Sequence, residues 1–117
     1  MRSEEFVARR QYVETEFGSI AYVEKGSGPA TLFLHGFPLN GFHWRAQLDE
    51  LCDIRRCIAI DLMGLGYTEV ADSEDLGFTN QAKMVIEVIA RLQLDNFDLV
   101  GNDSGGAIAQ IGKTKIF

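Results

Sequence analysis

The segment LVGNDSGGAI, residues 99–108, contains the residues whose types and spacing best suit covalent chemistry. Asp103 could attack a substrate as a carboxylate, and the neighbouring Ser104 could attack as a hydroxyl. Either group would divide a hydrolysis into two easier steps that pass through an ester with the protein. The segment therefore offers two candidate nucleophiles, side by side.

The glycines around these two residues favour the aspartate. A nucleophile presented on a sharp strand-to-helix turn needs small residues two positions before and two positions after it, because the two backbones approach closely there. For Asp103 those positions hold Gly101 and Gly105. For Ser104 the preceding position holds the larger Asn102. The spacing predicts Asp103 as the nucleophile and leaves Ser104 as the alternative.

The pattern along the chain predicts an α/β fold that would position this turn. An antiparallel hairpin comes first, and strands and helices then alternate, which implies a parallel sheet covered by helices. The predicted strands are 10–17, 19–25, 31–35, 55–60 and 97–101, and the predicted helices are 42–52, 80–94 with Thr79 as N-cap, and 105–111. The DSGG sequence also occurs around the serine of trypsin-like proteases, but those are all-β and need a distant His and Asp.

Composition excludes several classes of function. The formal net charge of −6 over 117 residues, without a basic stripe, argues against nucleic-acid or membrane-surface binding. Cys52 and Cys57 have neither metal-site spacing nor a nearby His, so we expect two reduced thiols. Gly64 and Gly66 do not form a phosphate loop. We expect no metal, no cofactor and no signal peptide, and a soluble, cytoplasmic protein.

Three glycine-containing loops follow three predicted strands. They are HGFP at 35–38, DLMGLG at 61–66 and GNDSGG at 101–106. Ligands of open parallel sheets bind beyond the carboxyl ends of the strands, where these loops must lie. A single such loop would carry little weight, because any tight turn can use glycine. Three loops in this order predict a site.

These three loops resemble those of the α/β-hydrolase family, in its branch of epoxide hydrolases and haloalkane dehalogenases. The resemblance covers residues 10–112 and implies an α/β-hydrolase fold in which Asp103 forms the ester. It implies oxyanion donors at the backbone N–H groups of Phe37 and Ser104. It also implies loop-forming roles for His35, Gly36, Pro38, Asp61, Gly64, Gly66, Gly101, Gly105 and Gly106.

Two departures from the family pattern bear on the reaction. Many members carry Trp directly after the nucleophile, where this chain has Ser104. Dehalogenases often hold the halide with Asn at the position of Phe37. Both departures count against a haloalkane dehalogenase and favour an epoxide hydrolase or a hydrolase of unassigned type. A Ser104 esterase and a non-catalytic binding or regulatory fragment remain the alternatives.

The resemblance also implies parts that the sequence does not contain. The family's catalytic His comes late, after a second acid, and a cap covers the substrate. Here the two histidines are His35, expected to brace its loop, and His43, expected at the surface or the edge of the core. Residues 1–117 are thus expected to form one partial domain without a cap, unable to turn over alone.

The end of the chain and its last strand give two further expectations. The segment GKTKIF departs from the family's helix, and Gly112 is a poor helix residue, so we expect truncation after the helix that follows Asp103. The alternative is a natural short protein whose helix ends at Gly112. Strand 97–101 would then be an open apolar edge prone to self-association. A small-molecule substrate is expected only for a completed chain.

Overall fold

A six-stranded sheet with helices on both faces organises the computed structural model of the chain, which describes residues 1–115. The strands are β1 Arg10–Thr15, β2 Gly18–Lys25, β3 Ala30–Leu34, β4 Arg56–Ile60, β5 Glu69–Val70 and β6 Asp98–Gly101. They lie in the order β1-β2-β4-β3-β6, and β5 pairs with β2 off this path. The hairpin β1–β2 and the β2–β4 pair are antiparallel, whereas β3 pairs in parallel with both β4 and β6. The predicted α/β class, with an antiparallel hairpin followed by parallel strands, is confirmed.

The apolar runs of β3 and β4 make these strands the centre of the molecule. All of Ala30–Leu34 is buried, as expected for a strand covered on both faces. Because side chains alternate across a strand, Leu32 and Leu34 enter one core, and Phe33 enters a second core on the opposite face with Trp44 and Leu48. The sheet therefore separates two apolar layers that hold its strands rigidly.

Helices flank this sheet, and their bounds differ in part from the predicted ones. They are α1 Ser3–Ala8, α2 Arg45–Leu51, α3 Phe78–Arg91 and α4 Ser104–Lys115, with a 3-10 turn at Gly41–Trp44. The predicted helix 42–52 therefore begins as this 3-10 turn. The predicted N-cap at Thr79 was wrong: Gly77 is the N-cap of α3, and its carbonyl accepts from the Gln81 N–H at 3.0 Å.

The remaining differences concern short or terminal elements. Helix α1 and the two-residue β5 were not predicted, since neither is long enough to show a hydrophobic period. Helix α4 continues through the buried Gly112 to Lys115, so the predicted helix 105–111 was too short, and the alternative in which the helix ends at Gly112 was wrong. The last two residues of GKTKIF lie outside the described residues. No helix in the part of the chain that the structure describes is long and apolar enough to cross a membrane.

Candidate functional site

The parallel register brings the three glycine loops to one edge of the sheet. Leu34 at the end of β3 is level with Ile60 of β4 and with Gly101 of β6. The chain therefore leaves all three strands at the same height, toward His35, Asp61 and Asn102. The Asn102 N–H donates to the Leu34 carbonyl at 3.1 Å, which ties the third loop to the first.

Asp103 occupies the turn between β6 and α4 in a left-handed conformation, with φ of 57°. Few non-glycine residues adopt this conformation, and Asp is among those that tolerate it. The turn is tight: a Cβ on Gly101 would approach the backbone of Gly105 and Gly106 within 3.0 Å, and a Cβ on Gly105 would meet the Leu34 and His35 carbonyls as closely. Two predicted glycines are thus required by space.

Gly106 and Gly36 differ in how tightly they are packed. A Cβ on Gly106 would find its nearest neighbour, the Gly101 carbonyl oxygen, at 3.7 Å, so no close approach requires glycine there. A Cβ on Gly36 would come within 3.0 Å of the Asp103 Cβ and 3.1 Å of the Asn102 carbonyl. The loop after β3 therefore passes directly beside the aspartate, and a larger residue at Gly36 would have to displace its neighbours by a few tenths of an ångström.

The Asp103 carboxylate is exposed and makes no hydrogen bond with any residue in the range 1–115 that the structure describes. Its backbone carbonyl, in contrast, accepts from the N–H groups of Gly106 at 2.9 Å and Ala107 at 3.2 Å. The first turn of α4 thus fixes the backbone of Asp103 and leaves its side chain available for chemistry.

The two predicted oxyanion donors lie next to each other, but one of them already has a partner. The Phe37 N–H donates to the Ser104 Oγ at 2.7 Å. The Ser104 N–H occupies the first position of α4, where a helix offers its N–H groups no acceptor of its own. Sequence reasoning missed the bond to the Ser104 hydroxyl, because it depends on the rotamer of one side chain across a tertiary contact.

His35 braces the first loop against the second. Its Nδ1 lies 2.9 Å from the Gly36 carbonyl and its Nε2 lies 2.9 Å from the Leu62 N–H. A carbonyl only accepts and an N–H only donates, so the ring is neutral, with its proton on Nδ1. Burial lowers the pKa of the His35 imidazole below its ordinary value, although the Gly36 bond and the Asp61 charge act the other way. The ring is fully buried and has no path to a substrate.

Asp61 holds the second loop in shape. Its Oδ1 accepts from the Gly41 N–H at 2.7 Å, and its Oδ2 accepts from the Tyr67 N–H at 2.8 Å. Gly66, with φ of 57°, lies so near this carboxylate that a side chain at that position would collide with it. Gly64, with φ of 81°, turns the same loop. Asp61 and these glycines are therefore structural.

His43 lies at the surface near the site but does not contact the nucleophile candidate. Its Nε2 is 3.3 Å from the Asn102 Nδ2, and its ring packs edge-on against Trp44. Neither His43 nor His35 is hydrogen-bonded to Asp103 in the part of the chain that the structure describes. No group of three or more His, Cys, Asp or Glu side chains in that part is placed to hold a metal ion.

A cavity of about 360 Å³ opens beside Ser104 and Phe37. Its inner wall is apolar and buried, whereas its rim carries exposed aromatic and aliphatic side chains. The buried Gln81 also reaches it, but both ends of its amide are bonded to the Met63 backbone, at 2.9 Å each. Sequence reasoning did not identify this lining, which comes from three separate segments: Phe37, Leu62, Met63, Gly64, Leu65, Leu76, Phe78, Gln81, Ser104 and Ile108.

Comparison with known proteins assigns the architecture. The family model for the alpha/beta hydrolase fold matches residues 29–111. Epoxide hydrolase 3 of Xenopus tropicalis is 38% identical over 91 residues, which are 75% of this chain and 25% of that protein. Haloalkane dehalogenase 2 of Mycobacterium tuberculosis is 32% identical over 99 residues, which are 85% of this chain and 35% of that protein.

Solved structures agree with this result. The crystal structure of an epoxide hydrolase from Vigna radiata superposes with a TM-score of 0.86 at 30% identity, covering 91% of this chain and 35% of that one. The chain thus spans about a third or less of the length of these relatives. It belongs to the alpha/beta hydrolase fold family and is similar to the branch that contains epoxide hydrolases and haloalkane dehalogenases.

Proposed function

We propose that this chain carries the nucleophile half of an epoxide hydrolase site, with Asp103 as the attacking group. One carboxylate oxygen of Asp103 bonds to an epoxide carbon while the bond from that carbon to the ring oxygen breaks. The ring oxygen takes a proton from water and becomes a hydroxyl. The product is a β-hydroxyalkyl ester of Asp103, and the mass of the whole epoxide is added to the chain.

The state of the Asp103 carboxylate is the observation that carries this proposal. A nucleophile must be reachable, and its lone pairs must not be spent on structural hydrogen bonds. Asp103 meets both requirements, because it is exposed and has no partner among residues 1–115. Ser104, the alternative nucleophile, belongs to the first turn of α4, and its Oγ is already bonded to the Phe37 N–H. The geometry favours the aspartate.

Backbone N–H groups beside Asp103 would assist hydrolysis of the ester. Attack of water on the ester places negative charge on its carbonyl oxygen, and fixed donors aimed at that charge lower the barrier. The Ser104 N–H is adjacent to Asp103 in the chain, and the Gly36–Phe37 loop passes beside its Cβ. Removing one such donor in other hydrolases costs about 3–4 kcal/mol of transition-state stabilisation.

The second step also requires a base to activate water, and neither imidazole is placed for it. His35 is buried with both ring nitrogens bonded, and His43 is bonded to Asn102. We therefore expect the 117-residue chain to react once and to keep the ester. In a longer chain that supplied the base, the same ester would be an intermediate.

Intact-mass spectrometry after incubation with an aryl-substituted epoxide tests this proposal. The expected result is a stable adduct of one epoxide per chain, absent from Asp103→Asn and retained by Ser104→Ala. A matched iodoalkane is the comparison, because it would add only its alkyl group and release iodide. An adduct that persists in Asp103→Asn and disappears in Ser104→Ala would instead support the serine esterase.

The edge of the sheet favours a second, non-catalytic function. Strand β6 ends the strand order, so no strand among residues 1–115 pairs with its outer edge, and its Val100 side chain is 37% exposed. Such an edge pairs readily with another chain. Sedimentation of the purified chain tests this: we expect concentration-dependent association that Val100→Lys reduces. A monodisperse monomer at high concentration would refute association through β6.

A further inference from the structure

We propose that the Ser104 hydroxyl is the hydrogen-bond donor that selects oxygen-bearing ligands for the apolar cavity that opens beside Ser104 and Phe37. The proposal rests on the function proposed above for its substrate class: epoxides that carry an apolar substituent. It assigns to Ser104 a direct contact with the ligand, through its side chain rather than through its backbone.

The hydrogen-bonding state of Ser104 determines what it can offer. Its Oγ accepts from the Phe37 N–H at 2.7 Å, which fixes the rotamer of the side chain. A serine hydroxyl has one proton to donate, and no acceptor for it lies among the residues that the structure describes. The Phe37 N–H also polarises the hydroxyl and strengthens the bond it donates. Ser104 therefore presents a positioned, unused O–H group.

The side chains around the Ser104 O–H group indicate that the rest of the ligand is apolar. The cavity of about 360 Å³ has an inner wall of Leu62, Met63 and Ile108, each at most 2% exposed. Ligand sites typically combine such a wall with a few precisely placed polar groups. Of the two polar side chains that reach this cavity, Gln81 is only 4% exposed and is bonded to the Met63 backbone at both ends of its amide, whereas the proton of the Ser104 hydroxyl has no acceptor among residues 1–115.

The exposed apolar side chains at the rim of the cavity favour a ligand with an apolar group. Phe37 is 70% exposed, Leu76 47% and Phe78 46%, and all three line the opening. Exposed apolar side chains that cluster around a buried apolar floor mark a binding site. The ligand would place an aryl or alkyl group between these side chains and its oxygen at the Ser104 hydroxyl.

Equilibrium binding of two unreactive probes tests this inference without any reaction at Asp103. Phenylacetamide carries an aryl group and an acceptor oxygen, whereas ethylbenzene carries the aryl group alone. Both are titrated by NMR into the Asp103→Asn chain and into the same chain with Ser104→Ala added. Ser27→Ala, a change at an exposed serine of the loop between β2 and β3, is the matched control.

We expect Ser104→Ala to weaken phenylacetamide binding about 5- to 10-fold, the loss of one hydrogen bond, and to change ethylbenzene binding less than twofold. Ser27→Ala should change neither. Equal effects on both probes, no effect on either, or no binding of either probe to the starting chain would each overturn the inference. A chain that forms no epoxide adduct but shows the expected probe pattern would refute the proposed reaction and leave this inference standing.

Discussion

Asp61 and Asp103 each follow a strand, β4 and β6, and each begins or lies within a glycine-containing loop at the same edge of the sheet. Their surroundings are opposite. Asp61 is 5% exposed and accepts backbone N–H groups at both carboxylate oxygens. Asp103 is exposed, has a left-handed backbone, and has no side-chain partner in the described part of the chain.

An aspartate in a glycine-containing loop can therefore be either structural or reactive, and neither the residue type nor the neighbouring glycines alone decide which. Glycine serves both loops, but for different reasons. Gly66 leaves room for the Asp61 carboxylate itself, whereas Gly101 and Gly105 let two backbones meet beneath Asp103. The first arrangement uses up the lone pairs of the carboxylate, and the second exposes them.

Replacing each aspartate by asparagine should give the largest difference between the two sites in the free energy of unfolding. Asp61→Asn puts an NH₂ group opposite one of two N–H donors, and we expect it to lower the free energy of unfolding by about 3 kcal/mol, because a charged hydrogen bond is lost and a buried donor is left unpaired. Asp103→Asn should change it by less than about 0.5 kcal/mol. Urea denaturation monitored by circular dichroism measures both. Similar losses of unfolding free energy in the two variants would contradict the distinction between a structural Asp61 and an unbonded Asp103.

Two neighbouring glycines test the tight turn beneath Asp103. Gly105→Ala would push a methyl group into the Leu34 and His35 carbonyls, and we expect a loss of about 2–3 kcal/mol in the free energy of unfolding. Gly106→Ala has room for the methyl group and should stabilise α4 by about 0.5–1 kcal/mol, since alanine is the better helix residue. Thermal melts of the two variants provide the comparison. Equal melting temperatures would mean that the turn is not as close as described.

His35 makes the loop of Asp61 sensitive to pH. Burial holds the pKa of His35 below its ordinary value, so in mild acid the unfolded chain binds a proton that the folded chain resists. The free energy of unfolding should therefore be unaffected by this group above about pH 6.5, and should fall as the pH drops below that value toward the folded-state pKa.

Denaturation between pH 7.5 and 5 would measure this dependence. We expect His35→Gln to have a shallower decline than the wild type, because the Nε2 that accepts from the Leu62 N–H is no longer there to be protonated. His43→Gln keeps His35 and should retain the decline. An unchanged slope in His35→Gln would show that other groups govern the acid sensitivity.

Sequence patterns predicted the elements and loops better than the contacts made within the loops. Two features were visible in short stretches of sequence. Ala30–Leu34 is a continuous apolar run, which predicts a buried strand, and the glycines around Asp103 meet a steric need for small residues in a tight turn. The bond from the Phe37 N–H to Ser104 carries no such signal, because it joins residues 67 positions apart through one rotamer. The cavity could not be predicted either, because its lining comes from segments that are distant in the sequence.

The first residue of α3 was harder to predict than the helix itself. Thr79 is a better capping residue in isolation than Gly77, yet α3 begins two residues earlier than predicted, where the Gly77 N–H donates to the Asp75 Oδ1 at 2.8 Å. Local hydrogen bonds of the preceding loop outweighed the intrinsic preference for Thr at the N-cap. The two-residue β5 was missed because its pairing with β2 is entirely tertiary.

Proteolysis followed by peptide fragmentation can locate an epoxide adduct among all carboxylates of the chain, and so tests directly whether Asp103 is the reactive aspartate. The sequence contains 17 Asp and Glu residues, so unselective alkylation would be spread over many of them. We expect the adduct on Asp103 and none on Asp61, because, of these two carboxylates, only that of Asp103 is exposed and free of hydrogen bonds with residues 1–115. An adduct on Asp61, or one distributed over the exposed carboxylates without preference for Asp103, would contradict this assignment.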